Sequence, residues 1–189
     1  MRLPSLDLSP HAETLAAVVV GALLATASGV VANQLEAWFK RRERERTAAL
    51  LFGEVISTLR VILEGAELTR RVGRPYGPVT RRMLLAARRE IDIYERNRES
   101  LLDLRDAKLR VDLHNAMMRI SLPLDGVIDA TVTPDERDDE IRDGAFVFMT
   151  ESLASLPPIV ARLGRIAKHS FDDYDRIPRV GAPAPATTT

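Results

Sequence analysis

The densest set of groups that could do chemistry in this 189-residue chain is Asp135, Glu136, Asp138, Asp139, Glu140 and Asp143, six carboxylates within nine residues. On a helix, Glu136/Glu140 and Asp139/Asp143 are i,i+4 pairs, a spacing at which two carboxylates can share a divalent cation. The same residues open a helix, however, where acidic side chains complement the positive end of the helix dipole, and Arg137 and Arg142 stand among them. The dipole-matched, solvated face is the stronger interpretation, so no metal site is assigned. His114 has Met117 and Met118 in the next turn, and His114 and Met118 lie four apart, which suits a soft metal ion. Helical spacing instead puts Met117 in a core with His114 and Asn115 at its border. His11 and His169 fall far away along the chain.

Nucleophilic catalysis needs a hydroxyl or thiol on a strained turn with a base beside it, and no G-x-S-x-G occurs. Neither phosphate-cradling pattern, G-x-x-x-x-G-K-[ST] or G-x-G-x-x-G, is present. The glycine-rich stretch from Gly73 to Pro78 includes two prolines, which remove amide donors that a phosphate would use. The chain has no cysteine, which excludes disulfides, thiolate metal sites and cysteine nucleophiles together. The residues therefore predict no catalytic residue, no cofactor and no metal, and a protein that is not an enzyme.

A different property dominates the N-terminal part. Thr14 to Ala32, TLAAVVVGALLATASGVVA, runs nineteen residues without a charge. As a helix at ~1.5 Å per residue it spans about 28 Å, close to the hydrocarbon thickness of a bilayer. Its polar side chains, Thr14, Thr26 and Ser28, can bond back to carbonyls of the preceding turn. These features predict a transmembrane anchor over residues 12–39 behind a polar leader at 1–11. A cleaved signal peptide is the rival, with Leu15 to Leu24 as its apolar region and Ala25-Thr26-Ala27 at its cleavage site. Charge disfavours it: Arg2 alone precedes the apolar run and Asp7 offsets it, whereas Lys40, Arg41, Arg42, Arg44 and Arg46 follow.

Those five cations also set the topology, because Lys and Arg close to a span stay on the cytoplasmic side. The N-terminus is expected outside and the body inside, at a bacterial inner membrane. Trp38 and Phe39 occupy the headgroup level of an aromatic belt, with Lys40, Arg41 and Arg42 just beyond. Ala17, Gly21, Ala25 and Gly29 recur every four residues, a small-residue face through which two spans can pack closely. The expected partners are the lipid bilayer, a second copy of the chain and an unidentified protein.

The formal charge of zero hides a split. From Gln34 to Arg110 there are 18 Lys and Arg against 12 Asp and Glu, and from Val111 onward 8 against 13. The basic half suits an anionic leaflet. Nucleic acid is not expected as a partner, because Glu43 and Glu45 interrupt the basic run and it adjoins a span.

No proline occurs between Pro10 and Pro75, so the span can continue unbroken into an aqueous helix whose seam is Phe52, Val55, Leu59, Ile62 and Ala66. Gly73, Pro75 and Gly77-Pro78 stop it. A second helix, roughly 79–96, presents Leu84, Ala87, Ile91 and Tyr94, with Asn97 as a left-handed stop. A third starts at Asp103 or Asp106 and carries Leu109, Leu113, Met117, Ile120 and Leu124, with Pro123 disturbing its last turns. Thr133-Pro134-Asp135-Glu136 forms a capping box for a fourth, whose inner face is expected at Ile141, Ala145, Phe148, Ser152 and Leu156. Pro157-Pro158 kinks or restarts the chain, and Ile159, Leu163 and Ile166 follow. Residues 172–189, ending in PAPATTT, have a composition that does not bury a core. The predicted fold is all-α: one N-terminal transmembrane helix continuing into a cytoplasmic antiparallel helical bundle over 40–171.

The segment Ile93-Tyr94-Glu95-Arg96-Asn97, followed by Leu101, Leu104, Leu109 and Leu113, resembles a helix–leucine turn–helix pattern of bacterial single-pass membrane proteins that carry cytoplasmic helical modules. That resemblance implies a fold and a membrane-anchored layout and no catalytic residue. The functional expectation is an anchored interaction, scaffold or regulatory protein. The alternative is a membrane-active effector or toxin that oligomerises through its span.

Overall fold

The computed structural model describes residues 9–73, 75–130 and 136–171, and every regular element among them is helical. α1 covers Ser9–Val72, a single helix of 64 residues, as the proline-free stretch requires. Then come α2 (Pro78–Arg96), a 3₁₀ segment (Arg98–Asp103), α3 (Ala107–Ala130), α4 (Glu136–Leu153) and α5 (Leu156–Ala167). Compact units divide the chain at Met1–Glu43 and Arg44–Thr189, and α1 contributes residues to both. The capping-box residues Thr133 to Asp135, the leader up to Leu8 and the segment 172–189 lie outside the described residues.

Within the second unit one apolar core joins the C-terminal half of α1 to the other helices. Phe52, Val55, Leu59 and Ala66 are buried as the seam predicts, and Ile56 and Leu63 widen it. A stripe more than ~100° wide is what a helix covered on several sides needs. Leu84, Ala87, Ile91 and Tyr94 of α2 are buried, as are Leu109, Leu113, Met117, Ile120 and Leu124 of α3. Specific contacts fix how they meet: the Phe52 and Tyr94 rings pack edge to face at 5.8 Å, and the Thr69 and Thr80 hydroxyls share a 3.1 Å hydrogen bond beside the turn.

Caps decide where helices begin and end. Asp106 starts α3, its Oδ1 accepting from the Leu109 amide at 3.0 Å, while Arg162 of α5 donates to its other oxygen. Asn97 ends α2 without entering the left-handed region. Its φ of −104° and ψ of 11° let the chain tighten directly into the 3₁₀ segment, and its side-chain amide donates to the Ile93 carbonyl at 2.8 Å. α3 continues through Pro123 to Ala130. The break before α5 falls at Ala154 and Ser155, so Pro157 and Pro158 occupy its first turn, where an absent amide hydrogen costs nothing.

α4 corrects the expected inner face. Ile141 is 68% exposed and Phe148 48%, while Arg142, Phe146, Met149 and Leu153 are buried together with Ser152. The helix is rotated by about one residue, which puts Phe146 under the Arg70 guanidinium at 5.0 Å and Arg142 over the Tyr76 ring at 5.4 Å. Two apolar stripes of similar strength compete on this helix, and contacts with α1 and the turn after it select one.

After α5 the chain closes back on α1. Lys168 takes a left-handed conformation (φ 54°), and Arg46 of α1 donates to the Ala167 carbonyl at 2.8 Å. Phe171 then places its ring against Gly53, where an added Cβ would stand 2.1 Å from Cζ. Gly53 is thus a notch for that ring. Gly53→Ala is expected to expel Phe171 and lower stability by about 3 kcal/mol, at the low end of the range for losing a buried aromatic ring. Thermal melts should show little further loss when Gly53→Ala is added to Phe171→Ala. Additive losses would refute the notch.

Candidate functional site

The residues singled out from the sequence as a functional set all lie on α1, in the first unit. Gly21 and Gly29 have nothing within 4 Å of where a Cβ would stand, so that face is open on the single chain. Ala17 and Ala25 belong to the same helix, and their side chains lie outside the described residues. The apolar side chains around them are exposed: Leu23 is 65% accessible and Leu24 63%. Aqueous helices of a folded domain do not leave such a continuous apolar surface uncovered.

The polar side chains of this stretch are turned inward on their own helix. Thr26 Oγ1 donates to the Ala22 carbonyl at 2.8 Å and Ser28 Oγ to the Leu24 carbonyl at 2.7 Å. Both hydroxyl protons are thereby satisfied without water, as a lipid environment demands. Where charge resumes, an aromatic and basic collar forms. Trp38 and Phe39 pack edge to face at 5.0 Å, Arg42 lies 5.2 Å from the Trp38 ring centre, and Lys40 pairs with Glu36 at 2.6 Å. Trp38 and Phe39 remain exposed, and so does Arg41. An indole that presents an apolar body and a polar N–H, next to cations, is suited to the boundary between hydrocarbon and headgroups.

By length and composition two stretches are apolar enough to cross a bilayer, the one beginning at Val18 and a second at Glu140–Ala167. The second comprises the last turns of α4, the turn at Ala154-Ser155 and α5, and its buried residues belong to the core.

The acidic run does structural work where it is described. Asp143 Oδ1 accepts from Arg70 Nη1 at 2.9 Å and from the Tyr76 hydroxyl at 2.5 Å, tying α4 to the end of α1 and the turn that follows. Burial first, then the bond to Asp143, pushes the Tyr76 hydroxyl well above its ordinary range. Arg70 and Tyr76 escaped the sequence analysis because they lie 73 and 67 residues from Asp143. His114 sits at the core border: its Nδ1 is 3.0 Å from the Tyr94 hydroxyl and its Nε2 is 3.5 Å from Arg98. The imidazole and the Tyr94 hydroxyl thus share one hydrogen bond across the core border. Burial pushes the Tyr94 hydroxyl up to about 12.

Glu67 anchors the same end of α1, accepting from Arg70 Nε at 3.1 Å and Arg71 Nε at 2.6 Å. Burial alone would raise its carboxyl, but the hydrogen bonds and charges of Arg70 and Arg71 outweigh it and hold the group below the ordinary 4.5. A depressed folded-state value means stability present above the unfolded value and lost as pH falls through the folded one. Thermal melts of the full chain should therefore drop on acidification below pH 4.5, with a smaller drop in Glu67→Gln. At pH 7 that variant should be less stable by roughly 1 kcal/mol.

Comparison with models of known protein families, with curated proteins and with solved structures finds no match.

Proposed function

We propose that α1 crosses a membrane once and anchors an antiparallel bundle of the remaining helices at the cytoplasmic face of a bacterial inner membrane. The protein acts there as an interaction scaffold or regulator that binds itself or another protein. The observation that carries this proposal is the exposed, uncharged surface of α1 between Val18 and Leu35, whose hydroxyls bond only to their own backbone. Water penalises such a cylinder by ~25 cal/mol per Å² of apolar surface, whereas lipid tails do not. The collar from Trp38 to Arg42 supports the placement of one end at the interface, and the cations Lys40, Arg41, Arg42, Arg44 and Arg46 support the orientation.

The bilayer is then the first partner. A second copy is the next, packed through Ala17, Gly21, Ala25 and Gly29, since small side chains let two backbones approach within dispersion range in lipid. Nucleic acid has no place in this proposal. The described polar side chains support positioning roles: Asp143 and Glu67 hold helix ends together, and His114 satisfies a buried phenol.

Membrane fractions from cells expressing the full chain should retain it after alkaline carbonate washing, and protease added to intact spheroplasts should leave the body uncut. Replacing the five cations by glutamate should expose the body to that protease. Recovery of uncleaved protein in the carbonate supernatant would overturn the anchor. Gly21→Ile with Gly29→Ile should abolish self-association in a reporter of transmembrane pairing, and undiminished pairing would refute the small-residue face.

A further inference from the structure

The charges of the collar are not spread evenly around α1. Residues three and four apart share one side of a helix. Trp38, Arg41 and Arg42 therefore stand together, and the Arg42 guanidinium, 5.2 Å from the Trp38 ring centre, fixes that arrangement. Lys40 falls on the opposite side and is already paired with Glu36 at 2.6 Å. Among the described residues Arg41 and Arg42 are in no ion pair. Of the other acids nearby, Glu45 is engaged by Arg105 at 3.5 Å, and helical spacing puts Glu43 on the side away from Trp38.

This side of the collar thus presents two exposed guanidiniums next to an indole. The ring contact restrains Arg42 and uses none of its N–H donors in a conventional hydrogen bond. Apolar surface borders the cations: Trp38 is 42% exposed and Phe39 60%, and the two rings pack edge to face at 5.0 Å. Further toward the N-terminus, Leu35 and Val31 are 51% and 57% exposed. Cations beside exposed rings and aliphatic side chains match an occupant that is itself amphipathic, an anion joined to hydrocarbon.

We propose that Trp38, Arg41 and Arg42 clamp the phosphate of an anionic phospholipid, which the collar draws selectively from the leaflet around it. The proposal rests on the anchor proposed above, since it needs the collar at headgroup depth. Guanidinium forks match phosphate oxygens, and the acyl chains lie along the rings and the aliphatic surface that precedes them. A zwitterionic headgroup fits less well, because its own ammonium neutralises the phosphate and is repelled by the same two arginines. The selectivity therefore belongs to one side of the helix and not to the total charge of the basic stretch.

Trp38 is the only tryptophan of the chain and so reports on its own neighbours. The full chain is reconstituted into phosphatidylcholine nanodiscs containing the same low mole fraction of either brominated phosphatidylglycerol or brominated phosphatidylcholine, whose bromines quench indole fluorescence on contact. Quenching should show phosphatidylglycerol enriched beside Trp38 about fivefold over phosphatidylcholine, the factor that one well-placed cation contributes near anionic lipid. Arg41→Gln with Arg42→Gln should bring the enrichment to unity, while quenching by brominated phosphatidylcholine persists and certifies that Trp38 still sits in the bilayer. Lys40→Gln, which removes the same charge from the other side, should cost less than Arg41→Gln. Equal quenching by the two lipids in the unaltered chain overturns the clamp and leaves the anchor standing, whereas no quenching by either removes both. Equal losses in Lys40→Gln and Arg41→Gln would mean diffuse attraction and overturn the clamp. Loss of the enrichment on adding inorganic phosphate at matched ionic strength would make a soluble anion the occupant and overturn it as well.

Discussion

The structure depends on one helix having no reason to stop. Between Pro10 and Pro75 no residue interrupts the i→i−4 ladder, and α1 consequently runs from Ser9 to Val72. Its second half supplies the seam on which the rest of the body assembles. α2 meets it through Tyr94 on Phe52, α4 through Phe146 beneath Arg70, and the end of α5 through the Ala167 carbonyl held by Arg46. Removing that seam would leave amphipathic helices with nowhere to bury their apolar faces, since short isolated helices are marginal in water.

Much of the body was legible in the sequence because its signals were local. Leu84, Ala87, Ile91 and Tyr94, and then Leu109 to Leu124, follow helical spacing with charged residues opposite, and every one is buried. Asp106 caps as its residue type requires. The back-bonded Thr26 and Ser28 were foreseeable from their position in an apolar helix. Illegible features were those set by partners far along the chain. Gly53 reads as a weak point in a helix until Phe171, 118 positions later, is seen against it.

α4 shows why pattern alone failed there. Ile141, Ala145, Phe148 and Ser152 make one stripe; Arg142, Ala145, Phe146, Met149 and Leu153 make another, and Ala145 serves both. Counted as apolar groups the two are nearly equal, and burying the second also brings Arg142 inside at 5% exposure, which is costly unless the charge is compensated. The compensation lies outside the helix: Tyr76 offers its ring face to Arg142, Arg70 covers Phe146, and Asp143, now beside Arg70 and Tyr76, accepts from both. These are interactions of roughly 0.5–2 kcal/mol each, enough together to choose between stripes of similar hydrophobicity. Among the described residues the acidic run contributes through Asp143, whose partners are Arg70 at the end of α1 and Tyr76 in the Gly73–Pro78 turn. That turn, whose prolines and glycines read only as a stop signal, also fixes the register of a helix sixty residues downstream.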